Sequence, residues 1–136
     1  MTETTAQAPT EQRAAVESYV RFWNAATPQE QRRLAAEAFT DDVTYYALIG
    51  VLSGPSELAA FRDEFAGHMG DVAFRPRAEA QILHGRARLM WEIEAGGKPV
   101  FAAGTDVLVF APDGRIASVS AFLDQAPEGF DPGAHH

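Results

Sequence analysis

The sequence VFAAGTDVLVF, residues 100–110, is a nearly unbroken apolar run with one charged side chain, Asp106, near its middle. Its valines and phenylalanines, and the turn residues at Pro99 and 112–114 that bound it, predict a strand buried on both faces. A buried carboxylate must find a partner, meet water in a cavity or stay protonated. Asp106 therefore either faces a cavity or caps a backbone amide at a bend of the strand, and both interpretations stay open.

Four strand patterns share the second half of the chain, and tight turn signals separate them. Such turns join antiparallel neighbours, so the strands are expected to pair in sequence order. The predicted strands are about residues 72–83, 86–95, 99–110 and 115–123, with turns at His84-Gly85, Gly96-Gly97 and Asp113-Gly114.

The strand at 86–95 alternates between polar and apolar side chains, which indicates one inner and one outer face. The predicted inner residues of this strand are Ala87, Leu89, Trp91 and Ile93. In the next strand, at 99–110, the predicted inner residues are Ala102, Gly104, Asp106, Leu108 and Phe110. The predicted outer residues of that second strand are Phe101, Ala103, Thr105, Val107 and Val109. Because that outer set is also apolar and the helices are too few to cover both faces, we expect a homodimer through the outer face.

Three helices are predicted from the first part of the chain. The first begins at the candidate N-cap Thr10, and the second at Thr27-Pro28, where a capping threonine precedes a proline at the first helical position. A turn at residues 40–42 then leads to a short strand from Val43 to Leu48, before Gly54-Pro55 opens the third helix.

The length of 136 residues suffices for one hydrophobic core, and 46% hydrophobic and 22% charged residues are typical of a soluble globular protein. We expect a flexible tail over residues 1–9, one domain over residues 10–124 and an irregular tail over residues 125–136. His135 and His136 are either native or the remnant of a purification tag, and no site is assigned to them.

Charge and residue content exclude several classes of function. A net charge of −8 argues against nucleic-acid and anionic-membrane partners, and no apolar run approaches the ~20 residues of a membrane span. The chain has no cysteine, and His68 and His84 lack neighbours at metal-ligand spacing, so no metal is expected. Without a phosphate loop or nucleophile motif, cofactor-free chemistry is expected. The N-terminus lacks a secretory signal, so a cytoplasmic location is the default expectation.

Three short motifs support a family resemblance: Phe39-Thr40-Asp41-Asp42-Val43, Gly104-x-Asp106 and Asp113-Gly114-Arg115-Ile116. Their order over residues 12–124 resembles the nuclear-transport-factor-2-like superfamily, and within it the SnoaL-like polyketide cyclases and the ketosteroid isomerases. The resemblance implies an α+β fold, a conical half-barrel of a curved, mostly antiparallel sheet with about three N-terminal helices on its concave face. It also implies a pocket between the helices and the sheet.

The resemblance also implies roles for particular residues. Ketosteroid isomerases keep a tyrosine donor, a protonated carboxylic acid and a general base, and the first two positions match Tyr19 and Asp106. The position expected for the base carries Ala47, which cannot accept a proton. The cyclases place an acid/base aspartate in a late strand, and Asp106 matches that position too.

The candidate catalytic residues are Asp106, Tyr19 and His68. Tyr19 either donates into the cavity or packs in the core with its hydroxyl at the surface. His68 either caps the third helix, where the dipole favours a cation, or replaces the missing base. The candidate pocket wall, with core packing as the alternative, is Trp23, Tyr45, Ala47, Phe61, Phe65, Met69, Leu89, Trp91 and Leu108.

These residues predict a protein that binds an apolar small molecule, polycyclic or carbonyl-bearing, with isomerase- or cyclase-type acid/base chemistry at Asp106. The alternative is a ligand-binding or dimerisation module of the same fold without chemistry, which the alanine at position 47 favours. The sequence leaves both functions open.

Overall fold

The computed structural model describes residues 2–48, 50–69, 72–95 and 98–126, which form three helices and a seven-stranded sheet. The helices are α1 (Thr2–Trp23), α2 (Pro28–Ala38) and α3 (Gly54–Met69). The strands are β1 (Phe39–Ala47), β2 (Gly50–Ser53), β3 (Val72–Pro76), β4 (Gln81–Leu83), β5 (Arg86–Ala95), β6 (Lys98–Phe110) and β7 (Ile116–Gln125).

The strand order across the sheet is β2-β1-β7-β6-β5-β3, and β4 also pairs with β5. The pairs are antiparallel, except that β1 and β7 run parallel. The sheet is curved and open. The predicted α+β half-barrel with a mostly antiparallel sheet is therefore confirmed.

The hairpin between β4 and β5 follows its sequence signal. His84 has a φ of 48° and Gly85 a φ of 77°, and Leu83 pairs with Arg86 on either side of them. Positive φ at both turn residues matches the right-handed twist of the flanking strands. The predicted tight turn at His84-Gly85 is confirmed.

The start of α2 is also as predicted. The side-chain oxygen of Thr27 accepts a hydrogen bond from the Glu30 backbone N–H at 3.1 Å, and Pro28 is the first helical residue. The buried face of α2 packs into the core, which lies between the helices and the inner face of the sheet. Fully buried side chains of this core include Phe22, Leu34, Phe39, Leu58, Leu89, Leu108, Ile116 and Val119.

Two element boundaries differ from the prediction. Helix α1 begins at Thr2 rather than at Thr10, because the alanines and glutamine of residues 6–8 are good helix formers that let the helix extend. Strand β1 begins at Phe39, so the turn predicted at residues 40–42 is wrong. Phe39 pairs with Ile116 of β7, and a register shift before Thr44 takes up the residues between them.

The strand predicted over residues 72–83 is wrong as one element. It is divided into β3 and β4, which both pair with β5, and residues 77–80 between them are irregular. The Arg77 backbone N–H still donates to the Met90 carbonyl at 2.8 Å. Strand β2, which pairs with β1, was not predicted.

The inner face of β6 is largely as predicted, since Ala102, Gly104, Asp106 and Leu108 are buried. Phe101, which the alternation placed on the outer face, instead has its ring 6.5 Å from that of Phe65 in α3. A register shift near the start of the β5–β6 pair interrupts the alternation there.

Parts of the prediction lie outside the described residues, namely the Gly96-Gly97 turn and residues 127–136. Within the described ranges, no helix is both long enough and apolar enough to cross a membrane. The cytoplasmic location stays a prediction.

Candidate functional site

Two side chains from different elements donate hydrogen bonds to the buried carboxyl group of Asp106. Tyr19 of α1 donates its hydroxyl to Oδ2 of Asp106, and Trp91 of β5 donates Nε1–H to Oδ1 at 2.8 Å. Asp106 is 1% exposed and Tyr19 is 0% exposed. Both carboxyl oxygens therefore have donors inside the core, which offsets part of the cost of burying them.

The register of the sheet brings Trp91 to Asp106. Asp106 pairs with Leu89 of β5 and with Ala121 of β7, and Trp91 pairs with Gly104. Residues two apart share a face of the sheet, so Trp91 lies diagonally across from Asp106, within reach of its long ring.

Gly104 makes room for this arrangement. A Cβ atom at this position would overlap the Trp91 ring and the Phe122 backbone carbonyl. The indole therefore packs directly against the backbone of β6. Sequence reasoning placed Gly104 on the inner face but missed this role, for which a glycine inside an apolar strand was the available signal.

The site changes the acidity of Asp106. Burial raises the pKa of Asp106 from 3.8 to about 7, against the hydrogen bonds from Tyr19 and Trp91, which lower it. Burial dominates because the low dielectric of the core disfavours the charged form. An acid with a pKa near neutrality populates both protonation states, which suits a proton donor or acceptor.

Two tyrosines near Asp106 are held in the neutral form. Burial raises the pKa of Tyr19 well above its ordinary value, and the charge of Asp106 raises it further. Burial likewise raises the pKa of Tyr45, again with a contribution from Asp106. Both hydroxyl groups therefore keep their protons in the physiological pH range.

A cavity of about 40 Å³ lies beside this network, and its wall includes Trp23, Arg62, Phe65, Val72, Phe74 and Ile93. The rings of Trp23 and Phe74 contact the ring of Tyr19 edge-on, with centroids 6.0 Å and 6.2 Å away. Phe74 also contacts Trp91 at 5.5 Å. The rings of Trp23, Phe74 and Trp91 thus form an aromatic layer beside the hydroxyl of Tyr19 and the carboxyl group of Asp106.

Polar side chains fix the aromatic layer. Asn24 donates from Nδ2 to the Phe74 carbonyl and accepts from the Phe74 backbone N–H, both at 2.8 Å. Arg62 donates from Nε to the Trp23 carbonyl at 3.2 Å and from Nη2 to the Ala25 carbonyl. Sequence reasoning missed the roles of Phe74, Asn24 and Arg62, because they depend on contacts between elements far apart in the chain.

The aromatic residues predicted for the pocket wall lie around this cavity. Tyr45 and Phe61 contact Trp23, with ring centroids 5.8 Å and 6.1 Å away, and Phe65 lines the cavity itself. The structure thus brings these side chains together. That they contact a ligand stays a prediction.

The other predicted residues are placed differently. Leu89 and Leu108 are fully buried in the core beside Asp106. Ala47 is half-buried at the end of β1, where it lines an open groove of about 470 Å³ together with part of β7. The side chains of His68 and Met69, at the end of α3, lie outside the described part of the chain, so a base at His68 stays a prediction.

Among the described residues, no group of three histidine, aspartate or glutamate side chains could hold a metal ion. The groups that face Asp106 are a phenol and an indole, which both donate hydrogen bonds. These groups can take part in hydrogen bonding and proton transfer.

Comparison with known proteins supports the fold. A family model described as a SnoaL-like domain matches residues 16–119. No curated protein is similar enough in sequence to count as a relative.

Solved structures show the same architecture. A protein from Agrobacterium tumefaciens described as an isomerase of the SnoaL-like family is similar at a TM-score of 0.76 and 23% identity, over 85% of this chain and 98% of that one. A protein from Sinorhizobium meliloti described as a polyketide cyclase is similar at a TM-score of 0.63 and 16% identity, over 79% of this chain and 92% of that one. A protein with a ketosteroid-isomerase-like fold from Catenulispora acidiphila, solved with trimethylamine, is similar at a TM-score of 0.64 and 17% identity, over 79% of this chain and 83% of that one.

Proposed function

This chain belongs to the SnoaL-like family, and from that premise we propose that it binds a small, apolar, carbonyl-bearing molecule beside Tyr19 and Asp106 and polarises the carbonyl group. The observation that carries the proposal is the buried network, in which Tyr19 and Trp91 donate to the two oxygens of Asp106. A carboxyl group that is 1% exposed costs stability, and groups buried at such a cost are enriched at functional sites.

The network can present a proton to a ligand. When Asp106 is protonated, its hydroxyl can donate to the Tyr19 oxygen, and the Tyr19 proton is then free for a ligand oxygen. Two donors in series within a low-dielectric site stabilise negative charge on that oxygen as a carbonyl compound becomes an enolate. The apolar side chains around them suit the carbon skeleton of such a ligand.

The size of the cavity favours a small ligand. At about 40 Å³ it is well below the roughly 300 Å³ or more of a pocket for a drug-sized molecule. A polycyclic ligand would have to displace rings such as Trp23 or Phe74. A ketone with a single ring needs less rearrangement, so acetophenone is a suitable probe.

A second function is favoured by one observation, the alanine at position 47, where the resemblance implies a general base. Enolate formation requires a base that removes the proton next to the carbonyl group. If the chain supplies none, the protein binds and polarises its ligand without turning it over.

Exchange of the methyl protons of acetophenone for deuterium in D₂O, followed by NMR, separates the two functions. We expect the wild-type protein to accelerate this exchange and the Asp106→Asn variant, which keeps the shape of the carboxyl group, to lose the acceleration. Saturable binding without faster exchange would identify a binding protein. No binding of acetophenone at all would refute the proposed function.

We also propose that the outer face of the sheet packs against a second copy of the chain. Tyr46, Met90 and Phe122 are 48%, 38% and 58% exposed, and the register places them on the face opposite Asp106. Large apolar side chains gathered on one exposed face are typical of an interface.

A further inference from the structure

The indole N–H of Trp23 is a buried donor without an acceptor among the described residues. Its Nε1 atom is shielded from solvent and makes no hydrogen bond to any described residue. Buried polar groups in folded proteins nearly always have a partner, so such an atom requires an explanation. Leaving it unpaired has a cost in stability, because its hydrogen bond to water is lost and not replaced.

Packing cannot easily relieve this cost, because the Trp23 ring is enclosed by other rings. It lies within 5.2–6.2 Å, centroid to centroid, of five of them: Tyr19, Phe22, Tyr45, Phe61 and Phe74. The Trp23 backbone is held as well, since its carbonyl accepts from Arg62. The orientation of the indole is therefore fixed before any ligand arrives.

Space for an acceptor lies next to this ring. Trp23 lines the cavity of about 40 Å³, which exceeds the roughly 10–15 Å³ that one water-sized group needs. Burial and the charge of Asp106 raise the pKa of Tyr19, while the nearby Trp23 indole lowers it. The indole N–H therefore lies near the Tyr19 hydroxyl, although it makes no hydrogen bond of good geometry to it. An oxygen atom bound by Trp23 would therefore lie near the Tyr19 hydroxyl as well.

We infer that Trp23 Nε1 is a second donor to the ligand oxygen, so that the indole N–H and the Tyr19 hydroxyl converge on one carbonyl group. The inference rests on the proposed function, and it specifies the ligand as a neutral ketone or similar carbonyl compound. The oxygen of a carboxylate ligand would be repelled by Asp106 whenever that group is ionised. The Arg62 guanidinium already donates hydrogen bonds to the Trp23 and Ala25 carbonyls. It is therefore engaged with the backbone and does not serve as the partner of a carboxylate ligand.

The two indole N–H signals of the protein provide the test, because the chain contains two tryptophans. Trp91 already donates to Asp106, so it serves as the internal control. The uniformly ¹⁵N-labelled protein is titrated with acetophenone and, separately, with ethylbenzene, which has the same ring but no oxygen. The variants Trp23→Phe and Trp91→Phe assign the two signals.

We expect acetophenone to shift the Trp23 indole proton downfield, as hydrogen bonding to a carbonyl oxygen does, and ethylbenzene to leave it without a downfield shift. The Trp23→Phe variant should bind acetophenone roughly three- to tenfold more weakly, the loss expected for one hydrogen bond. Its affinity for ethylbenzene should change much less.

The inference and the proposed function fail in different ways. If acetophenone binds and shifts other signals while the Trp23 indole proton stays in place, the inference is wrong and the proposed function stands. An equal downfield shift with ethylbenzene would also overturn it, because the shift would then reflect the ring and not the oxygen. If neither compound shifts any signal, both the inference and the proposed function are refuted.

Discussion

The hydroxyl of Tyr19 in α1 donates a hydrogen bond to the carboxyl group of Asp106 in β6, 87 residues further along the chain. This bond joins the first helix to the middle of the sheet at a point from which bulk water is excluded. Because the carboxyl group can be protonated or ionised near neutral pH, the strength of this connection between helix and sheet depends on pH.

The first prediction concerns stability as a function of pH. Asp106 has its pKa raised to about 7 in the folded protein, so between its ordinary value and about 7 the folded chain holds a proton that the unfolded chain has lost. The free energy of unfolding should therefore fall as the pH rises through this window, by on the order of a few kcal/mol, and level off above it.

The measurement is urea denaturation of the wild type and of Asp106→Asn over the same pH range. The variant cannot ionise at this position, so the difference between the two proteins isolates Asp106 from the other acids. A wild type that gains stability relative to the variant as the pH rises would show that Asp106 is ionised in the folded protein.

The second prediction concerns Tyr19→Phe, which removes the hydroxyl and keeps the ring. The Tyr19 hydrogen bond lowers the pKa of Asp106, so its loss should raise that pKa and move the upper end of the pH window to a higher value. The variant should also lose roughly 1–3 kcal/mol of stability, because a buried carboxyl oxygen loses its donor.

Tyr46→Phe is the matched control, since Tyr46 lies on the face of the sheet opposite Asp106 and the loss of its hydroxyl should leave the pH window where it is in the wild type. Urea denaturation at several pH values gives both quantities. An unchanged pH window in Tyr19→Phe would show that the Tyr19 hydroxyl does not act on the acidity of Asp106.

Much of the fold could be predicted from local patterns. The cap and proline at Thr27-Pro28 and the turn at His84-Gly85 act within a few residues, so the sequence contains all that determines them. The burial of Asp106 followed from its place in an apolar strand. No local pattern relates residues 87 positions apart. The closeness of Asp106 and Tyr19 was therefore implied by the family resemblance alone.

Other features could not be predicted because they depend on tertiary pairing. The acidic stretch after Phe39 is typical of a turn, but it belongs to strand β1, because Phe39 and Thr44 on either side of it both pair with β7. The bond between Trp91 and Asp106 requires the register of β5 against β6 and the absence of a side chain at Gly104. The Trp23 N–H, which finds no acceptor in the described part of the chain, is enclosed only when five rings from distant parts of the sequence pack around it.

The third prediction tests the space that Gly104 leaves for Trp91. Gly104→Ala places a Cβ atom against the indole and the Phe122 carbonyl, so Trp91 or the β6–β7 pair must move. We expect a loss of about 1–3 kcal/mol or more, with a weaker bond from Trp91 to Asp106. Thermal unfolding measures the loss, and the shift of the Trp91 indole proton reports on the bond.

Gly67→Ala is the control for this substitution. A Cβ atom at Gly67, an exposed position in α3, would meet nothing within 4 Å, and alanine favours a helix over glycine by roughly 1 kcal/mol. This variant should be as stable as the wild type or more stable. Equal stability of both variants would show that the indole does not rest on the Gly104 backbone.

The fourth prediction concerns the outer face. Phe122→Asp places a charge among apolar side chains that we propose to be buried between two copies of the chain. A buried charge without a partner is strongly unfavourable, so the dissociation constant of the dimer should rise by roughly tenfold or more. Ala36→Asp adds the same charge at an exposed position of α2 and should leave association unchanged. Sedimentation velocity over a range of protein concentrations measures both, and a wild type that stays monomeric at micromolar concentration would contradict the proposed dimer.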